Sequence, residues 1–432
     1  MPRRSSRIRH RFGLGIADQI LSSVTNFALG VFAAHVLDVP QFGAFALAFA
    51  SYNLAIGASR AINSEPLTVR FSSVVDSAWR QGAAGAAGGA LVTGIALGLV
   101  CVAVGLVAGG ALAAALVPLG FALPGLLVQD CWRFAFFALG RGALAFRNDL
   151  AWAGVQVLAF SALILSDARS LAWIMAAWGG SALAAAALGC AQAGSLPAPL
   201  ESIAWWRSQR DLAPRFLGEF AARNGSTAGT IYASAGIAGF AASAALRGGQ
   251  ILLGPASVLN MGITLAAVPE MVRLRSRSLH RLVRAAAVLS CAIAIPTLLW
   301  GSLMASLPAS VGRALLGSSW DAGSQVVLPL AIGLAAAGVQ TGPIAGLRAL
   351  EDARRSLRAR TFTGVLSLVG GVAGAYGGGA VGAASGLAGG LCIGTVVWWR
   401  LFLTAMQEKE DAESRAGGSQ PLVPSVDEGV AS

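Results

Sequence analysis

Asp18, Ser22, Thr25 and Asn26 stand at i, i+4, i+7 and i+8, on one face of a helix, within an otherwise apolar run over 12–37. At ~1.5 Å per residue they form a polar stripe about 12 Å long. A carboxylate, two hydroxyls and an amide in that order could hold a cation, relay a proton or bind a polar ligand. Facing lipid they would be costly, so the stripe is expected to meet a hydrated cavity, or else another helix in a plain hydrogen-bond network. A second stripe occupies 215–238. There Glu219 and Arg223 are spaced i,i+4 with the acid first, the favourable order for a helix pair, and Asn224, Ser226, Thr227 and Thr230 follow. Arg247 lies just inside the next apolar run, where a planar guanidinium suits diphosphate or carboxylate ligands. Arg60, five residues before Glu65-Pro66, could enter the same cavity or be an ordinary flanking charge. Candidate substrate-binding residues are therefore Arg60, Arg223, Arg247, Asn224 and Asn26. Asp18 and Glu219 are the candidate ion-coupling residues, and Asp130 with Arg133, at i,i+3, read as a structural pair.

Several chemistries are excluded. A phosphate-cradling P-loop needs a lysine, and the only lysine is Lys409. Three scattered histidines (10, 35 and 280) make no HExxH zinc site, so neither metal nor cofactor is expected. The five cysteines form no CxxC pair and mostly lie in apolar runs, as small buried residues do. No catalytic constellation is evident, and an enzyme is not expected.

The elements that must position these residues are membrane spans. Of 432 residues, 56% are hydrophobic and 12% charged, with a mean hydropathy of +0.68. Crossing about 30 Å of hydrocarbon takes ~20 apolar residues. Twelve runs qualify: roughly 12–37, 42–64, 81–107, 111–129, 150–166, 170–193, 215–238, 242–268, 285–305, 325–346, 361–377 and 380–403. Twenty-seven of the 31 basic residues fall at the termini and in alternate gaps. This places those gaps, and both termini, in the cytoplasm. The net charge of +11 thus sets orientation, and no nucleic-acid partner is expected. The organisation is a basic N-terminus (1–11), a six-helix bundle (12–193), a linker (194–214), a second six-helix bundle (215–404) and a polar, disordered tail (405–432). In the linker, Trp205-Trp206 beside Arg207 and Arg210 suit an amphipathic interfacial stretch. Pro66-Leu-Thr-Val-Arg70 and Pro269-Glu-Met-Val-Arg273 recur at an offset of 203, as a pseudo-twofold repeat of two halves would require.

These residues also carry a resemblance. DQILSSVTNF (18–27) followed by LDVPQFGAFALA (37–48) resembles the opening of the multidrug/oligosaccharidyl-lipid/polysaccharide (MOP) exporters, particularly the Wzx-like polysaccharide-export branch. RAINSEPLTVR (60–70), AALRGGQILLGP (244–255) and LLGSSW (315–320) agree with it. The resemblance implies an all-α, MATE-like fold of about twelve helices in two bundles around a V-shaped cavity. It further implies alternating-access export of a polyprenyl-diphosphate-linked glycan. Twelve spans, where the lipid II flippase branch typically has fourteen, count against that branch. Arginines outnumbering acids in the presumed cavity favour an anionic cargo. A cation-coupled multidrug antiporter is the alternative, since Asp18 and Glu219 also suit that role. A non-transporting scaffold of a glycan-assembly complex is the third. Expected partners are the lipid-linked glycan, the bilayer, and glycan-polymerising or assembly membrane proteins. The arginine-for-lysine bias with abundant alanine and glycine points to a high-GC genome and a bacterial plasma membrane.

Overall fold

The computed structural model describes residues 2–72, 77–275 and 279–417; the side chains at 2–14, 16, 77, 223, 265–270, 272–275, 279 and 412–417 lie outside the description. Expectations for the side chain of Arg223, for most of the Pro269–Arg273 motif and for the tail beyond 417 therefore lie outside the described residues. Everything described is helix or short connection, with no strand among the described residues. The first half contains α1 (Pro2–Val36), α2 (Val39–Ser59), a π-helical turn (Arg60–Ser64), α3 (Glu65–Phe71), α4 (Ser77–Ala108), α5 (Gly110–Ala138), α6 (Gly142–Leu165) and α7 (Leu171–Ala193). The linker holds α8 (Ser202–Ser208). The second half contains α9 (Ala213–Ala238), α10 (Phe240–Leu252), α11 (Gly254–Arg275), α12 (Leu279–Ala305), α13 (Ala309–Leu316), α14 (Trp320–Ala349) and α15 (Ala353–Gly417).

Local chemistry explains the ends and breaks. Asp38 caps α2 by accepting from the Gln41 amide at 2.8 Å. Gly194 ends α7 in the left-handed conformation. Within the second span the Pro66 nitrogen has no hydrogen to donate. The backbone meets it with the π-helical turn, whose Arg60 carbonyl accepts from the Glu65 amide five residues on. The span expected over 242–268 is likewise divided, because Pro255 removes a ladder hydrogen bond. The Trp300 indole donates to the Leu252 carbonyl at that break, at 2.8 Å. α15 folds back at Gly378 and Gly379, the latter at φ +55°, so it supplies two spans. With that fold-back, the nine stretches apolar and long enough to cross a membrane among the described residues become ten. The more polar α9 and the pair α10–α11 complete twelve.

The two halves pack chiefly within themselves: α4, α6 and α7 against α5 or one another, and α12, α15 and α10 against α14. In lipid such packing relies on small residues that let backbones approach. The two arms of α15 show it. A Cβ built on Gly374 would lie 2.0 Å from the Gly382 carbonyl oxygen, and one on Gly386 would lie 1.9 Å from that of Gly370. Between the halves, α2 packs on α9 and α10, while α1 touches α10, α11 and α13. At the end of the molecule opposite the termini, Ser243 donates to the Gly43 carbonyl at 3.1 Å, and Gly317 sits on Ala34 and His35. At the arginine-rich end, Gly57 packs beneath the Phe220 ring. There α8 lies on α4, with Trp205 buried and tilted 6.0 Å from Phe71. The Trp206 indole donates to Asn63 at 3.0 Å.

Candidate functional site

Asp18 is fully buried, yet it does not face the other half. Arg133 of α5 donates to it at 2.7 Å and lies 3.2 Å from Asp149 of α6. Gln129 donates to Asp149 at 2.8 Å and to Asn148 at 3.1 Å, and Asn148 reaches the Ala185 carbonyl and Gln192 of α7. The stripe's carboxylate is thus tied into the first bundle rather than lining a central cavity. Asp130 does not pair with Arg133 as its spacing suggested: it takes Arg60 in a bidentate contact of 2.7 and 2.8 Å. The Arg60 guanidinium also lies 5.2 Å from the Phe134 ring centre. At least three carboxylates here face two guanidiniums, and Asp18 Oδ1 has no hydrogen-bond partner among the described residues. A proton or small cation would offset part of the excess negative charge.

Arg247 does reach across the interface. From α10 its guanidinium lies over the Phe49 ring of α2, 3.7 Å from the centroid. A Cβ built on Gly30 of α1 would lie 3.7 Å from its Nη2. Its Nε is buried without a hydrogen-bond partner, and it forms no ion pair among the described residues. No acid among the described residues competes with an anion for an arginine so placed. Asn26 lies one turn before Gly30 on the same side of α1, and exposed Asn53 one turn after Phe49 on α2. Their spacing puts these two amides on the helix faces that Arg247 meets, and the hydroxyls of Ser51 and Tyr232 also join the halves at 2.6 Å.

On α9, Glu219 lies 3.3 Å from Arg348 and 4.0 Å from Arg360 at the arginine-rich end. Asn224 is half-buried and donates to the Phe220 carbonyl at 3.3 Å. The structure therefore places Arg247 against α1 and α2, with Asn26 one turn from its contact at Gly30, while Asp18, Arg60 and Glu219 each hold a partner within their own half. The spacing gave no sign of Gln129, Asn148 and Asp149, although amides and a carboxylate in apolar helices were the available signal. A cavity of about 290 Å³ between α11 and α14, lined by Asn260, Thr264 and Thr341, was also missed.

Two helical bundles meet along spans one, two, seven and eight. No protein-family model and no curated protein matches the chain at the level of sequence. Solved structures do match its fold. The lipid II flippase MurJ, in an inward closed conformation, is similar with a TM-score of 0.70 and 11% identity, over 92% of this chain and 90% of that one. An inward-facing multidrug resistance MATE family transporter of the MOP superfamily gives 0.64 and 16%, over 91% and 96%. A MOP superfamily transporter from Pyrococcus furiosus, described as having a binding pocket of reverse polarity, gives 0.53 and 12%, over 93% and 95%. The fold is that of the MOP-superfamily transporters, and these neighbours are carriers rather than enzymes. The lipid II flippase stands among them although twelve spans had counted against that branch.

Proposed function

We propose that this chain exports a lipid-linked anionic glycan across a bacterial plasma membrane by alternating access, with both termini cytoplasmic. The observation that carries this reading is Arg247: a cation between the bundles with no acid among the described residues to neutralise it. A charge held at that depth is expensive, and an arriving diphosphate would offset its cost while meeting the guanidinium fork. Asn26 and Asn53 would add amide hydrogen bonds, and the lipid tail would stay in the bilayer. Arg223, one residue before Asn224, is kept as a further anion-binding residue. Arg60 would steady the entrance through its pair with Asp130. A lipid II flippase among the similar folds supports a lipid-linked cargo.

The Asp18–Arg133–Asp149 cluster favours a second reading, a cation-coupled multidrug antiporter, because its unbalanced charge could take up a proton or sodium ion. Glu219 would be the counterpart in the other half. The two readings separate in one experiment: mass spectrometry of lipid extracts from a host lacking the protein, complemented with wild type or Arg247→Gln. Accumulated polyprenyl-diphosphate oligosaccharide, cleared by wild type and not by the variant, is the expected result. No accumulation, with unchanged surface glycan, overturns the export reading in favour of the antiporter.

A further inference from the structure

We infer that the linker over 196–210 is a lipid-binding element. Its outer face lies in the membrane leaflet at the arginine-rich end and holds anionic phospholipid there, whatever the chain carries.

The surface is defined by what the linker packs against and what it leaves bare. The two tryptophans that suggested an interfacial stretch both turn inward. Trp205 is buried against Phe71 and Gly85, and Trp206 donates to Asn63. The other side carries Leu196, Leu200 and Ile203, which are 75%, 97% and 57% exposed. Ile203 and Trp205 are two residues apart in α8, about 200° around the helix. The element is therefore apolar on both sides and needs a second apolar neighbour, and large apolar side chains left bare together mark an interaction surface.

Its position names that neighbour. The Ala198 amide donates to the Ala84 carbonyl at 2.9 Å, and a Cβ built on Gly88 would lie 2.1 Å from the Ala198 carbonyl oxygen. Ile95 and Leu99 follow Gly88 at i+7 and i+11, on the same face of α4. Both are exposed, as lipid-facing residues of a span are. The linker thus covers the end of a face that meets lipid farther along. From Gly88 to the end of α4 at Ala108 is about 30 Å of helix, the thickness of the hydrocarbon. Gly88 stands at the edge of that layer, so Leu200 and Ile203 meet acyl chains rather than water.

Charge selects the lipid. Arg207 stands one turn after Ile203 and Arg210 three residues on; both are exposed and form no ion pair among the described residues. Arg70, which donates to the Ser208 carbonyl between them, is already held by Asp211. Glu201, also exposed, offsets one of the two. The remaining positive charge, beside an inserted apolar face, complements headgroup phosphate. An anionic headgroup, unlike a zwitterionic one, brings net negative charge to it.

The test uses the full-length protein without its five native cysteines, in nanodiscs of phosphatidylcholine and phosphatidylglycerol, with a bimane probe on Leu200→Cys or Ile203→Cys. Lipids brominated on their acyl chains should quench both probes, and iodide in the water should reach neither. A probe on Arg354→Cys, an exposed site at the same end, should show the reverse. Brominated phosphatidylglycerol should quench Ile203→Cys at about fivefold lower mole fraction than brominated phosphatidylcholine, the scale of one net basic residue at a charged surface. Arg207→Gln with Arg210→Gln should abolish that preference and keep the quenching, which also shows that the variant folds. Iodide quenching at Leu200 and Ile203 overturns the proposal. So does shielding from iodide and bromine alike, the result if another protein or another part of this chain covers the face. Equal quenching by the two lipids in wild type overturns the anionic headgroup.

Discussion

Arg133 is the residue on which the first bundle's interior depends, since it is the counter-charge of both Asp18 and Asp149. Removing one partner of a buried ion pair typically costs about 3–5 kcal/mol, because the other charge is left uncompensated. Arg133→Met should therefore lower the unfolding temperature of the detergent-purified protein markedly. Adding Asp18→Asn and Asp149→Asn should restore most of the loss, and no recovery in the triple variant would refute this assignment. Arg247 makes the opposite prediction. Having no acid to release among the described residues, Arg247→Gln should leave thermal stability close to wild type while abolishing the proposed export. Asp18 was legible in the sequence as a polar residue needing company, but the direction of its company was not. Eight residues separate it from Asn26, about 80° around a helix. One stripe can thus present its start to α5 and α6 and its end to Arg247, and only the packing of three helices decides which.

Among the elements, spans were legible because lipid demands long apolar runs whatever they pack against. The fold-back of α15 was visible as Gly377–Gly379. Its close packing was not, since any of many glycines could serve. Gly382→Leu should force the arms of α15 apart, with the Gly374 carbonyl in the way. The expected result is lower yield of folded protein and a lower unfolding temperature, whereas Gly389→Leu, at a site with open space around it, should be tolerated. The breaks at Ser64 and Leu253 were hidden because a helix with proline in it still reads as one hydropathic run. The linker shows a different contact. Arg70 holds Asp211 at 2.6 and 2.8 Å and also donates to the Ser208 carbonyl. A hydrogen bond from the backbone of Asp211, reinforced by Arg70, keeps its carboxyl below the usual carboxylate range. A lowered folded-state pKa gives stability that is present above the unfolded value and lost as pH falls through the folded one. The contact should thus persist from pH 7 to 5 and open only in stronger acid. Limited proteolysis of the linker across that range, with Asp211→Asn already cleaved at pH 7, checks it.

For the molecule as a whole, the two halves touch at both ends, and the proposed alternating access requires one of those ends to part. Gly43 is a close point between the halves at the end opposite the termini: a Cβ there would lie 2.1 Å from the Phe240 carbonyl oxygen. Gly43→Val should wedge that end open. In a background without the five native cysteines, Ser243→Cys is fully buried and should resist a membrane-impermeant maleimide. Added to Gly43→Val it should be labelled, and equal protection in both would show that Gly43 does not hold the end shut. The linker's position and the offset repeat led to the expectation of two halves. Which surfaces oppose each other was not legible, because the contacts of α1 and α2 with α9, α10 and α11 are set by packing and leave no mark in the hydropathy.

The π-helical turn at Arg60–Ser64 has a genetic consequence. Such a turn is an α-helix carrying one residue more than its ladder can use. Deleting a single codon there would let the ladder close as a regular α-helix with the residues beyond it still in register. Glu65 to Phe71 would keep their neighbours and Arg70 would keep Asp211, at the cost of setting the Pro66 ring against a preceding carbonyl. Over these five positions an in-frame deletion should be better tolerated than one elsewhere in the span, where no spare residue exists and everything beyond would rotate by about 100°.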